Sequence, residues 1–134
     1  MTKFLVAYAA TFVTMLLIDM LWLGVIARSM YQSGIGHLMA DKPNLPVAAL
    51  FYLLFPAGLV IFAVQPQAGT PGWATTAGMA ALFGFIAYAT YDLTNLATLR
   101  DWPWHLALID MAWGTAVSAV SATVGKLVLD RMAA

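Results

Sequence analysis

The sequence predicts an all-α, polytopic integral membrane protein with four transmembrane helices in a single domain, residues 1–134. The chain is 63% hydrophobic and only 9% charged, whereas soluble domains carry about 25% charged residues. Its apolar residues form four long segments, each close to the roughly 17–25 residues that cross a bilayer. Because backbone polar groups find no water inside the hydrocarbon, we expect these segments to be helices.

The first predicted span covers about residues 4–27 and is bounded by Lys3 and Arg28. It is too long for the apolar core of a signal peptide and no clear cleavage site follows it, so we expect it to be retained. The connection after it carries apolar side chains at helical spacing, namely Met30, Tyr31, Ile35, Leu38 and Met39. This pattern predicts a short helix at the membrane interface, or a lid over the end of the bundle.

The remaining spans are predicted at about residues 47–64, 73–99 and 104–129. The turn from Gln65 to Gly72 contains two prolines and two glycines, so it should be tight. Only residues 100–103 separate the third span from the fourth, which predicts an antiparallel helical hairpin. Both termini would then lie on one side of the membrane.

The charges of the chain exclude some classes of function. Six basic and six acidic residues give a net charge of zero, without the basic patch that nucleic-acid binding requires. There are no cysteines, which excludes disulfide bonds and thiolate metal sites, and we predict no metal or cofactor. Three basic residues fall on each side of the predicted bundle, so the positive-inside rule gives no orientation. The N-terminal amine favours cytoplasmic termini.

Three of the predicted spans carry an aspartate at the same depth. Asp19, Asp92 and Asp110 each lie eight or nine residues from a charged residue at the same predicted end of the bundle. At 1.5 Å per helical residue this distance is roughly 12–14 Å, close to half of a hydrocarbon core of about 30 Å. The sequence therefore predicts one layer of carboxyl groups near the midplane, facing one another inside the bundle.

Burying three acids in a bilayer costs about 2.5–3.5 kcal/mol for each acid at a helix centre. No Lys or Arg is predicted at their depth. The acids must therefore be protonated, share protons, bind a cation or accept hydrogen bonds from neutral groups. Neutral candidates lie three or four residues from an acid on the same helices: Trp22, Tyr88, Asn95 and Trp113.

These residues make up a candidate site for a ligand, protons or a cation. The full set is Asp19, Asp92, Asp110, Asn95, Trp22, Trp113, Tyr88, Tyr91 and His105. Within it, we expect Trp22, Asn95 and His105 to line an approach to the acids, although His105 taken alone is interpreted as a surface residue. Trp102 is assigned to an interfacial aromatic belt, and the small residues at 114, 118 and 122 are assigned to helix packing.

Four stretches resemble a bacterial family of small four-span membrane proteins, domain of unknown function 2177. They are GIGHLM (34–39), FYLLFPAGLVIFAVQP (51–66), YDLTNLATLRDWP (91–103) and LIDMAWGT (108–115). Together with the first span they cover nearly the whole chain. The resemblance implies a multi-pass fold in the cell inner membrane, and it supplies no catalytic residues to carry over.

The predicted site leaves three functions open. The first is binding or transport of a small solute coupled to protons or a cation, because intramembrane acids mark ion and proton routes. A four-span chain is small for a pathway, so this function predicts a homodimer. The second is a membrane-embedded enzyme acting on a lipid or isoprenoid, with the three acids as acid–base groups helped by Tyr91 or His105. The third is an accessory subunit whose acids bridge to a partner's basic residue.

Overall fold

The computed structural model describes residues 1–133, and within them every regular element is helical. The α-helices are α1 (Thr2–Leu21), α2 (Arg28–Ile35), α3 (Leu45–Leu59), α4 (Ala74–Thr98) and α5 (Trp104–Ala133). A π-helical segment, Trp22–Ile26, extends α1, and another, Val60–Val64, extends α3. Short 3-10 turns cover Gly36–Leu38 and Gln65–Gln67. The all-α fold class is confirmed.

Three helical segments are long and apolar enough to cross a membrane: Thr2–Ile26, Leu45–Gln67 and Trp104–Ala133. Helix α4 is 25 residues long but is not among them within the described chain. Five threonines and two tyrosines, together with Asn95 and Asp92, make α4 more polar than the others. Three of the four predicted spans are thus identified as candidate spans, and the fourth stays a prediction.

Helix α5 occupies the centre of the bundle, with α4 along one side and α1 along the other. Small residues allow the backbones to approach closely. A Cβ atom added at Gly84 of α4 would collide with the Ser118 side chain and with the Gly114 carbonyl oxygen of α5. One added at Gly125 would collide with a threonine side chain of α1. The predicted small-residue stripe of α5 therefore lies in a close helix contact.

Helices α1 and α4 each bury one narrow stripe of residues spaced by four, except that Asp92 lies eight residues after Gly84. In α1 the buried residues are Ala7, Thr11, Met15 and Asp19, and in α4 they are Thr76, Ala80, Gly84 and Asp92. Residues four apart lie on one face of a helix, so each stripe faces α5 along its length. Because each stripe ends in an aspartate, both carboxyl groups lie inside the bundle and away from the lipid-facing surface.

Polar contacts tie the connections to the helix ends. Lys126 is fully buried, and its Nζ donates to Asp130 at 2.6 and 2.8 Å and to the Thr70 carbonyl at 2.9 Å. These bonds hold the α3–α4 turn against the C-terminal part of α5. At the opposite end, His37 Nε2 lies 3.5 Å from an Asp101 oxygen. The turn after α2 therefore lies beside the α4–α5 turn.

Candidate functional site

A cavity of about 480 Å³ lies between the helices at the level of the three aspartates. Asp19 of α1, Asp92 of α4 and Asp110 of α5 all line it, and each is at least nine-tenths buried. The structure therefore brings together the acids that the sequence places at one depth. The rest of the lining is aromatic or aliphatic: Leu23, Tyr31, Ile35, Phe51, Tyr52, Phe55, Ala87, Tyr88, Tyr91, Trp102, Leu106 and Trp113.

Asp19 is held by donors from two other helices. Trp113 of α5 donates its indole N–H to Asp19 Oδ1 at 2.8 Å, and the Tyr52 hydroxyl of α3 donates to Oδ2. Both oxygens of the Asp19 carboxyl thus accept a hydrogen bond from a fixed donor. The two bonds also fix the relative positions of α1, α3 and α5 at this depth.

Asp110 is held by the connection between the first two long helices. The Tyr31 hydroxyl of α2 donates to Asp110 Oδ1 at 2.6 Å, and its oxygen accepts from the Trp22 indole N–H at 3.1 Å. Tyr31 lies outside the candidate spans. Burial, reinforced by the hydrogen bond to Asp110, raises the pKa of its phenol above the ordinary value. The hydroxyl therefore keeps its proton and remains a donor to the acid.

The two tryptophans behind these bonds are stacked on each other. The Trp22 and Trp113 ring centroids are 4.4 Å apart and their planes differ by 5°. The stack joins the Asp19 bonds to the Asp110 bonds in one continuous network. Each indole follows one acid by three residues on its own helix, but its N–H is directed toward the acid of the other helix. The Trp113 bond is direct, and the Trp22 bond passes through Tyr31.

Asp92 differs from the other two acids. It is fully buried, and neither of its carboxyl oxygens has a hydrogen-bond partner in the described part of the chain. The Asp110 carboxyl and the Trp102 indole are the polar groups beside it. The Trp102 Nε1 atom is also buried, and it too lacks a partner among residues 1–133. One acid and one donor in the cavity wall thus have their hydrogen-bonding capacity unused.

The structure brings most of the sequence-predicted residues to the cavity. Six of the nine line it: Asp19, Asp92, Asp110, Tyr88, Tyr91 and Trp113. Trp22 lies behind the wall and acts through Tyr31. Asn95 is half-buried one turn beyond Asp92 and is not part of the lining.

His105 is exposed and lies outside the cavity. The centroid of its ring is 5.8 Å from that of Trp104. The expected approach lined by Trp22, Asn95 and His105 is therefore not what the structure shows. Five residues on a helix turn the side chain by about 140° relative to Asp110, so His105 points away from the acids. Its interpretation as a surface residue fits its exposure.

Three residues that line the cavity with a hydrogen-bonding side chain are absent from the predicted site. Tyr31 was assigned only to a connecting helix, although it supplies the donor to Asp110. Tyr52 had a signal in the sequence: it lies eight residues after Asn44, about 12 Å into the helix, at the depth of the acids. Trp102 was assigned to an interfacial belt, but it lines the cavity and meets Tyr91 edge-to-face at 5.5 Å.

The three acids do not form a compact metal centre. Among residues 1–133, no group of three metal-ligating side chains is close enough together to hold a metal ion. The carboxyl groups instead line a cavity that is far larger than an ion.

A model of the family described as "Predicted membrane protein (DUF2177)" matches residues 4–127 of the chain. The match covers nearly all of the sequence, and it confirms the family resemblance. No curated protein and no solved structure matches the chain.

Proposed function

The chain belongs to the DUF2177 family of predicted membrane proteins, and we propose that it binds a small solute in the acidic cavity and exchanges it for protons across the membrane. The observation that carries this proposal is Asp92, a fully buried carboxyl without a partner in residues 1–133 that lines the cavity. A buried charge without donors is costly. Asp92 therefore holds a proton while the cavity is empty, and this proton leaves to water when a ligand that brings a donor or a charge binds.

The other two acids have a different part in this proposal. Asp19 and Asp110 each accept hydrogen bonds from fixed donors, so their carboxyl groups have partners without a ligand. They set a negative potential in the cavity and orient the solute. The cavity volume of about 480 Å³ falls within the range of small-molecule pockets, roughly 300–1,000 Å³.

The proposal includes α4 as a fourth span in a single four-helix transmembrane domain. Helix α4 packs along the central helix α5 more extensively than any other element does. It is 25 residues long, which is enough to cross a hydrocarbon core of about 30 Å. Two of its polar side chains, Asp92 and Tyr88, line the cavity.

We assign α2 as a lid over the cavity. Tyr31 and Ile35 of α2 line it, and they also line a second cavity of about 310 Å³ together with Leu23 and Arg28. The shared wall separates the acids from this second cavity. The bond from Tyr31 to Asp110 would act as the latch, because its release would join the two spaces.

We place the protein in the cell inner membrane, with both termini cytoplasmic, as a homodimer. A bundle of four helices is small for a solute pathway, so a second copy would complete it. The orientation follows from the N-terminal amine, since the basic side chains are balanced between the two ends.

Proton flux in proteoliposomes tests the function. The vesicles contain a trapped pH dye, and the membrane potential is clamped with potassium and valinomycin. Four solutes are added in turn: benzyltrimethylammonium, phenylacetate, phenylalanine and glucose. We expect at least one of them to move protons in wild-type vesicles and to lose this effect with Asp92→Asn. Asp41→Asn, which removes an exposed carboxylate from the α2–α3 connection, should behave as wild type.

Two outcomes would contradict the proposal. The first is that none of the four solutes moves protons beyond the level in empty vesicles. The second is that Asp92→Asn retains the full response. Either result would shift attention to the enzyme alternative, for which lipid analysis of a deletion strain is the test. The accessory-subunit alternative would be tested by co-purification of a stoichiometric partner.

Of the two acid–base helpers in the enzyme alternative, Tyr91 and His105, one lies at the cavity and the other does not. Tyr91 lines the cavity with the three acids. His105, the other acid–base helper that the sequence suggested, is exposed outside it. An enzyme would therefore depend on carboxyl and phenol groups alone.

A further inference from the structure

We propose that the solute is an organic cation, an ammonium group joined to an apolar body. This inference rests on the proposed function, because it names the class of solute that the acidic cavity takes. Three features carry it: the charges of the lining, the aromatic walls and the dimensions of the space.

The charges of the lining favour a cation over an anion or a neutral solute. The cavity is lined by three carboxyl groups and, in the part of the chain that the structure describes, by no Lys, Arg or His side chain. Asp19 and Asp110 already have donors. Asp92 has no partner in residues 1–133. An ammonium group would supply both a compensating charge and, if it carries N–H groups, the missing donors.

Arg28 does not compete for this role, because it lines the neighbouring cavity beyond the wall formed by Tyr31 and Ile35. The nearest Lys or Arg along α5 is Lys126, sixteen residues from Asp110, and its Nζ is already bonded to Asp130. The positive charge for the cavity must therefore come from a proton or from the ligand.

Aromatic side chains form most of the remaining surface. Eight of the fifteen lining residues are aromatic. Trp102 lies beside Asp92 and meets Tyr91 edge-to-face, with the ring centroids 5.5 Å apart. A cation within about 6 Å of an aromatic ring is attracted to its face, most strongly with tryptophan. The same rings, with Phe55 against Tyr88 at 5.9 Å, would pack against an apolar body.

The dimensions of the cavity favour an organic cation over a metal ion. No three metal-ligating side chains among the described residues are close enough to hold an ion. The volume of about 480 Å³ leaves most of the space to be filled by apolar atoms. A ligand with one charged end at Asp92 and an aromatic or aliphatic body toward Phe51 and Phe55 matches both parts of the lining.

Equilibrium binding to the 134-residue chain in phosphatidylcholine nanodiscs tests the inference, with empty nanodiscs to subtract partition into lipid. Three probes share one apolar body and differ in charge: phenylbutylamine, phenylbutanol and phenylbutyrate. We expect the amine to bind about tenfold tighter than the alcohol or more, which is ~1.4 kcal/mol or more, and the carboxylate to bind weakest. Asp92→Asn should weaken amine binding by about the same factor and leave alcohol binding unchanged. Asp41→Asn should change neither.

Other results would overturn the inference. The class of ligand is wrong if the alcohol binds as tightly as the amine, if the carboxylate binds tightest, if Asp92→Asn keeps the preference for the amine, or if none of the three binds. The proposed function is judged separately, since the proteoliposome panel includes anionic, zwitterionic and neutral solutes. Amine binding without proton movement would refute exchange and leave the ligand class standing.

Discussion

Replacing Asp19 and Asp92 by asparagine, one at a time, should affect stability in opposite ways. Asp19 accepts hydrogen bonds from Trp113 and Tyr52, and asparagine retains an acceptor but loses the charge. A hydrogen bond to a charged group is worth about 1.5–3 kcal/mol and a neutral one about 0.5–1.5. In membrane proteins the measured values are smaller, about 0.6 on average. We therefore expect Asp19→Asn to lower the free energy of unfolding by about 1–2 kcal/mol.

Asp92→Asn removes no hydrogen bond that the described residues show. It also removes a carboxyl that is costly to ionise where it lies. We expect its stability to equal or exceed that of the wild type. With an unfolding entropy of about 2.1 cal/mol/K per residue, a loss of 1–2 kcal/mol in 134 residues lowers the melting temperature by about 4–7 °C.

Thermal melts in one detergent, followed by intrinsic tryptophan fluorescence, measure both changes. Asp41→Asn, an exposed carboxylate in the α2–α3 connection, controls for the loss of a charge. If Asp92→Asn lowers the melting temperature as much as Asp19→Asn does, Asp92 has a structural partner and the reasoning that makes it the ligand's counter-ion fails. A stable Asp92→Asn protein, in contrast, is the folded variant that the binding and transport experiments need.

Three further changes test the packing and the polar ties. Gly84→Ala places a Cβ against the α5 backbone and should destabilise the protein by about 1–3 kcal/mol. Gly78→Ala, whose Cβ would meet open space, is the control, and equal melting temperatures of the two variants would refute the close contact. Tyr31→Phe removes the hydroxyl between an indole and a carboxyl and should cost about 1–2 kcal/mol in the same melt; no change would argue against the latch. Asp130→Asn leaves buried Lys126 without its anion and should cost about 1–3 kcal/mol of stability. This is less than the cost of breaking a fully buried pair, because Asp130 is partly exposed. An unchanged melting temperature would show that the bond to the Thr70 carbonyl is enough to hold Lys126.

The depth of the acids was predictable from the sequence, because depth in a membrane helix depends only on residue count. Eight or nine residues from a charged end give nearly the same height for Asp19, Asp92 and Asp110, and the structure places all three on one cavity. Burial of the α1 and α4 acids also follows a periodicity of four along each helix. These are local properties, which one helix determines by itself.

The partners of the acids were not predictable, because they depend on how helices are rotated and which connections fold back. Spacing suggested that Trp113 serves the acid on its own helix, yet it donates to Asp19 on α1. Tyr31 reaches Asp110 only because α2 turns back over the end of α5, where Pro103 and Leu106 side chains lie 3.3 Å from the place a Cβ would occupy on Gly34. Such contacts join residues far apart in the sequence.

The segment Leu-Ile-Asp-Met-x-Trp occurs twice in the chain, and it illustrates what was predictable and what was not. The two copies start at Leu17 and Leu108 and lie on α1 and α5, which pack against each other. With the acid and the indole three residues apart, both side chains of each segment face the other helix, so each indole meets the other segment more readily than its own acid. The indoles stack at 4.4 Å, one donates directly to the opposite acid and the other does so through Tyr31. A repeated sequence thus produces two satisfied acids. Asp92 belongs to neither segment. The Trp102 indole lies beside it, but the Asp92 carboxyl is the one that has no hydrogen-bond partner within residues 1–133.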